Sequence, residues 1–218
     1  PGGVTQDVRP LTANVDGLTA ETLHHYRFRT GGQTSPTGRF ATLPATGAET
    51  DRVRLGLASC SRLASASFQP YADLARTSPD LVVHLGDYIY EYNLGDFSPE
   101  KEGAREWGVP VPEDLPTYRT RYGKTKQDTS LQAAHAAAPW IVTWDDHEVV
   151  NNYSGDEDPA RGDASVNRAR RAAAHQAWYE HMPVRLAPAE DWAEWPIHRR
   201  IEFGSLAALH VIETRDFA

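Results

Sequence analysis

Val82-Val83-His84-Leu85-Gly86-Asp87-Tyr88-Ile89-Tyr90 decides how this chain is read. An apolar run ends in Gly-Asp, and a tyrosine follows three residues after the aspartate. Residues 81–85 are apolar on both faces, which predicts a parallel strand covered on two sides. A carboxylate directly after glycine at the end of such a strand can be approached closely, and its two oxygens can bridge two cations. The alternative is a turn aspartate that caps the next segment.

Two other stretches repeat the pattern. Trp140-Ile141-Val142-Thr143-Trp144 runs into Asp145-Asp146-His147-Glu148, and Arg54-Leu55-Gly56-Leu57-Ala58-Ser59 runs into Cys60. Three strand-like segments thus each deliver a metal-type ligand at the carboxyl end, the edge where open α/β sheets build their sites. The pattern predicts a two-metal hydrolase acting on phosphate esters.

The whole sequence fits this reading. It has 218 residues, 40% of them apolar and 24% charged, as in globular proteins. No apolar run is long enough for a transmembrane helix. A net charge of −8 argues against a nucleic-acid backbone as main partner. It leaves small phosphates open, because a bound metal reverses the local field. A single cysteine excludes an internal disulfide. The sequence opens on Pro1-Gly2-Gly3 without an initiator methionine and stops soon after a strand-like run, so it reads as a fragment cut at both ends.

Residues 1–45 read as β, with strands over 23–29 and 39–43 around turn chemistry at Gly31-Gly32-Gln33-Thr34-Ser35-Pro36. So few strands make no stable domain alone and fit the end of a β-sandwich. Residues 46–51 form a small polar linker, and 52–218 change to α/β. A strand is expected over 53–58, a helix over 68–75, a long loop over 93–116 and a mostly helical stretch over 117–138. After the 140–144 strand come an irregular stretch over 149–165, a helix over 167–182 stopped by Pro183, and antiparallel strands over 197–203 and 206–212.

Tyr90 is an unusual ligand candidate. A phenol ionises near pH 10 and binds as phenolate only beside a strong Lewis acid, for which highly charged iron is best suited. Tyr88 and Tyr92 share its parity. Cys60 would bind as thiolate, and soft sulfur beside phenolate and carboxylate suits iron better than magnesium or calcium. The run of four ionisable groups at 145–148 is either a solvated acidic turn or a ligand cluster, since adjacent like charges need cations or donors to offset them. In the second case His147 is a general acid or phosphate donor, and Asn151 and Asn152 supply neutral oxygen ligands. Arg62 and Arg119 are candidate phosphate contacts, because arginine's fork matches phosphate oxygens.

Taken together, Ala58-Ser59-Cys60-Ser61, His84 to Glu91 and Trp144 to Asn152 resemble the motifs of PhoD-like alkaline phosphatases, of the calcineurin-like metallophosphoesterase superfamily. The resemblance extends to Tyr118-Arg119-Thr120-Arg121-Tyr122, to the run Leu131 to Pro139, to Glu180-His181-Met182-Pro183 and to Glu213-Thr214-Arg215. It implies a layered α/β catalytic domain, incomplete at its C-terminus, after the end of a fibronectin-III-like sandwich. Fe3+ would fall on Cys60, Asp87 and Tyr90. Asp87 would be shared with Ca2+, for which Asn152 is the matching asparagine. Asp146 is a further candidate, by analogy with the Gly-Asn-His-Glu motif of other metallophosphoesterases. The implied reaction is in-line attack of a metal-bound hydroxide on a phosphate mono- or diester, in an enzyme acting outside the cytoplasm. A later Asp/His block expected to complete the metal shell lies beyond this chain. His24 stands where an aromatic is expected six residues after Leu18, and Glu213 where aspartate is commoner. A non-catalytic cell-surface binding protein with a degenerate phosphatase domain is the competing reading.

Overall fold

The computed structural model describes residues 10–65, 67–92, 108–155 and 164–216, with the backbone alone over 164–167. At the N-terminal end β1 (Leu23–Tyr26) pairs antiparallel with β4 (Gly38–Ala41). Between them β2 (Arg29–Thr30) pairs with β3 (Gln33–Thr34). Gly31 and Gly32 close this inner hairpin with φ of 52° and 81°, the paired positive values that suit the twist of a two-residue loop. The strand expected over 23–29 is therefore interrupted at Arg27-Phe28.

The α/β part starts with β5 (Leu55–Ala58), α1 (Gln69–Thr77) and β6 (Leu81–His84). Next come α2 (Leu115–Thr125), α3 (Thr129–Ala137) and β7 (Trp140–Val142). Then follow α4 (Ala164–His181), a single 3-10 turn at Trp192–Glu194, β8 (Arg199–Phe203) and β9 (Ala207–Val211). Strands β5, β6 and β7 form a parallel sheet with β6 in the middle. All four β6 side chains are buried, as its two-sided apolar character predicts. They alternate between two cores. Val82 belongs to the large cluster that includes Tyr71 of α1, Tyr118 and Tyr122 of α2, Leu131 of α3 and Trp178 of α4. Leu81 and Val83 meet Phe203 on the other face, with Ile201 and Leu209 alongside. Helices thus cover one side of the sheet, and the β8–β9 hairpin covers the other.

Some boundaries differ from expectation for local reasons. The stretch over 117–138 is two helices, because Asp128 caps a new one by accepting the Leu131 N–H at 2.8 Å. Helix α2 begins at Leu115, where Asp114 accepts from Thr117 N and the Thr117 hydroxyl accepts from Asp114 N, a capping box. Asp114→Ala is expected to cost about 1 kcal/mol, read as a lower urea midpoint of unfolding. Of the loops expected over 93–116 and 149–165, residues 93–107 and 156–163 lie outside those described. Strand β7 stops at Val142 rather than residue 144, since the chain turns there into the loop that carries the acidic run.

Candidate metal centre

Ala58, His84 and Val142 lie in register across the parallel sheet, so its three strands end level. Their loops leave side by side and are laced together. Leu85 N donates to Ala58 O at 2.9 Å, Cys60 N to Gly86 O at 3.2 Å, and Ser61 N to Asp87 O at 2.8 Å. Thr143 N donates to His84 O at 3.1 Å. Gly86 has a φ of 106°, and a Cβ there would lie 2.4 Å from the Asp145 backbone nitrogen. The Gly-Asp pair of the motif is thus the point where two loops cross.

Five described non-glycine residues have positive φ, and three of them are candidate ligands: Cys60 (55°), Asp87 (56°) and Asn152 (60°). The left-handed region costs an L-residue on the order of 1 kcal/mol and is held only where the surroundings demand it. The lacing of the loops supplies that demand at Cys60 and Asp87.

A first group forms around Asp87. The Tyr90 hydroxyl donates to Asp87 Oδ2 at 3.0 Å, and the exposed Cys60 lies near enough to feel the Asp87 charge. Burial raises the pKa of all three. The Asp87 charge adds to this at Cys60 and Tyr90, and Asp146 and Asp145 add to it at Asp87 against the opposing pull of His147 and the Tyr90 hydroxyl. A thiol, a carboxyl and a phenol that resist ionisation in one another's company are a donor set that a multivalent cation relieves, because its charge inverts the local pKa order. The residues present therefore fit a multivalent metal cation.

A second group shares Asp87. Asp87, Asp146 and His147 each offer one ligand atom, and these atoms lie within 4.8 Å of one another. Asp146 Oδ2 accepts the Asn152 N–H at 2.6 Å, so the chain wraps back around this carboxylate. Its Oδ1 lies 3.7 Å from the Arg215 guanidinium, whose Nε donates to Asp145 Oδ1 at 2.5 Å. His147 N donates to Asp87 Oδ1 at 3.3 Å. Its ring lies 4.1 Å from that of Tyr90, and its Nδ1 is 2.8 Å from Oε2 of the buried Glu91. Burial opposes protonation of His147, but the hydrogen bond and charge of Glu91, with Asp87 and Asp146, outweigh it and hold the pKa above the ordinary imidazole value. Glu91 Oε1 also accepts Asn151 N at 2.7 Å.

The acidic run is therefore not a solvated turn. Asp145 meets Arg215, Asp146 faces Asp87, and Glu148 is fully buried against backbone amides. Burial and then the Asp87 charge raise the Glu148 pKa, and the three amides that donate to its two oxygens pull it back toward the ionised form. Glu91 and Glu148 have roles the sequence reading missed. The signal was present, since both lie inside the quoted motifs, but their partners belong to another loop. Arg62 sits on the Cys60 loop, with its guanidinium carbon 5.7 Å from the centre of the Tyr92 ring, which stands edge-on to His147 at 5.3 Å. Arg119 goes elsewhere. Its Nε and one terminal nitrogen both reach the Glu180 carboxylate at 2.6 Å, joining α2 to α4. The depression it lines contains Asn14, Tyr179 and Arg185 and no member of the Asp87 groups. The structure does not bring Arg119 to the candidate centre, because helix packing commits its fork to Glu180.

Compared with known proteins, residues 55–218 match the family model described as PhoD-like phosphatase. The chain belongs to the PhoD-like phosphatase family. It is similar to alkaline phosphatase D of Bacillus subtilis (strain 168), with 40% identity over 203 residues, which are 93% of this chain and 35% of that protein. It is also similar to a solved structure described as "Structure of PhoD", with a TM-score of 0.88 and 40% identity, covering 93% of this chain and 39% of the other. The chain thus spans about a third of the curated relative's length. As in that PhoD structure, the fold is mixed α/β with a parallel sheet. Membership of the PhoD-like family implies metal dependence, and the described residues hold a triad able to bind a metal ion. No helix among the described residues is long and apolar enough to cross a membrane.

Proposed function

We propose that this chain is part of an alkaline phosphatase that hydrolyses phosphate mono- and diesters with the help of two bound metals. The observation that carries the reading is Asp87, one carboxylate common to the Cys60–Tyr90 group and to the Asp146–His147 group. Fe3+ is assigned to Cys60, Asp87 and Tyr90. Ca2+ is assigned to Asp87 and Asn152, with Asp146 as the acidic neighbour. When bound, the cations supply Lewis acidity, neutralising charge on phosphate oxygens and lowering the pKa of water.

The chain's own groups supply the rest. With Nδ1 anchored on Glu91, His147 has a fixed ring orientation and its Nε2 directed away from that anchor. The carboxylates around it favour its protonated form, which suits a proton donor to a phosphate or leaving-group oxygen. Arg62, on the loop that carries Cys60, is the candidate phosphate contact, and Arg119 is withdrawn from that role. Residues 1–45, of which 10–45 are described, are assigned to the end of a fibronectin-III-like sandwich, with a linker over 46–51 and the catalytic part over 52–218. The family resemblance supports action outside the cytoplasm.

The test uses the full-length protein. Elemental analysis should find iron and calcium, a visible absorption band should report phenolate bound to ferric iron, and both a monoester and a diester should be turned over. His147→Asn is expected to keep the metals and lower kcat by roughly 10²-fold. A metal-free protein that hydrolyses neither ester would support the binding-protein reading instead. A colourless, iron-free preparation of full activity would refute the iron assignment.

A further inference from the structure

Glu148 is fully buried, yet it is a carboxylate. Its Oε2 accepts from Asp87 N at 2.9 Å and from Asp145 N at 2.9 Å, and its Oε1 accepts from Tyr88 N at 2.6 Å. Burying a carboxylate is costly unless its lone pairs are met by donors, and here three backbone amides meet them. The donors come from two different loops. Asp87 and Tyr88 follow β6, while Asp145 follows β7. A single oxygen, Oε2, therefore ties one loop to the other.

We propose that Glu148 is the positioning residue that sets the distance between the loop of Asp87 and the loop of Asp146, and hence the spacing of the two ligand groups. The inference rests on the metal-dependent reading given above. Several observations converge on it. Successive backbone N–H groups around a left-handed residue make a concavity that holds an anion. Asp87, at a φ of 56°, is such a residue, and the anion held by its own N–H and that of Tyr88 is the chain's own carboxylate. The strained backbone of Asp87 is thus the conformation that lets Glu148 grip it. Gly86, which has no Cβ to meet the Asp145 nitrogen, permits the approach that the shared oxygen then fixes. Glu148 is itself held in place. Val149 N and Val150 N both donate to Asp146 O, closing the turn that carries it. Behind the turn, the Tyr118 hydroxyl donates to Val149 O at 2.5 Å and accepts from Arg170 Nε at 2.9 Å.

Paired cations that share a ligand sit about 3.5–4 Å apart, so a small drift between the loops separates the groups that must hold them. Asp87 lies at one end of the grip and Asp146 one residue beyond the other.

Glu148→Gln in the full-length protein is the test. The amide has the same shape but only one accepting oxygen, and its NH2 faces backbone donors, so at least one of the three bonds is lost. The expected result is metal affinity weakened about 10–100-fold in a chelator competition, the scale for residues that orient ligands from behind. The iron–phenolate band should shift, and kcat should fall more than KM changes. In the metal-free protein, amide exchange should quicken at Asp87, Tyr88 and Asp145 while the β6–β7 ladder keeps its protection. Glu148→Asp, which keeps the charge but shortens the reach, should show the same signs more mildly, and it serves in place of the glutamine variant if that one does not fold. Wild-type metal affinity, spectrum and kcat in a folded variant would overturn the proposal. So would a uniform loss of protection with metal affinity unchanged, the mark of a purely structural residue. If the wild-type protein holds no metal and hydrolyses neither ester, the proposed function fails, and exchange at the three amides alone decides whether Glu148 joins the loops.

Discussion

If the full-length protein is the proposed phosphatase, Asp87→Asn is expected to reduce kcat/KM by at least about 10³-fold, beyond the ten- to hundred-fold typical of residues behind the ligands. The reason is position. Asp87 Oδ2 faces the Tyr90 hydroxyl, its Oδ1 faces the backbone of His147, and its carboxylate lies within 4.8 Å of ligand atoms from Asp146 and His147. One substitution thus weakens both groups, where loss of Cys60 or of Asn152 touches one. An amide at this site also puts an NH2 donor in place of one of two carboxylate oxygens, which accept from the Tyr90 hydroxyl and from His147 N. The measurement is steady-state hydrolysis beside iron and calcium content. Both metals should fall together. If iron left and calcium stayed, Asp87 would belong to one group only.

Gly86→Ala should be nearly as damaging through a different physical route. At a φ of 106° the position already disfavours any Cβ, and the added methyl would lie 2.4 Å from Asp145 N and 2.7 Å from Trp144 C. These are backbone atoms, which cannot swing aside as the end of a long side chain can. Backbone strain and overpacking each cost about 1–3 kcal/mol, so a loss of roughly 3 kcal/mol in stability is expected. Any relief must come from pushing the Asp145 loop away from the Asp87 loop. The surviving folded protein should therefore also lose metal and activity. Thermal unfolding read beside metal content checks both parts, and an alanine variant of wild-type stability would show that the loops do not cross so closely.

The fold was legible where burial dictates sequence. Leu81 to His84 are buried on both faces, as a central parallel strand covered on two sides requires of so short a run. The break between α2 and α3 was less visible, since Asp128 within a helix-forming stretch acts as a cap only once its carboxylate turns back to Leu131 N. The grouping of Cys60, Asp87 and Tyr90 was implied by the family resemblance, since Tyr88 and Tyr92 share the parity of Tyr90 and counting past strand ends does not choose among them. The fate of Arg119 was not legible, because its partner Glu180 is set by how two helices pack. Glu91 and Glu148 escaped for a related reason. A carboxylate that binds backbone amides of another loop has the same letter as one that faces water. The left-handed backbone at Cys60 was equally silent, since cysteine carries none of the preference that glycine, asparagine and aspartate show there.

The level ends of β5, β6 and β7 have an evolutionary corollary. They give the loops a common datum, from which Cys60 lies two residues out, Asp87 three and Asp146 four. Chain length upstream of that line is free to drift, because helices can grow or shrink without moving it. Downstream of it, a single inserted or deleted residue shifts every later donor in its loop. Natural variation in length should therefore gather on the helical side of the sheet and fall to nothing across these few positions.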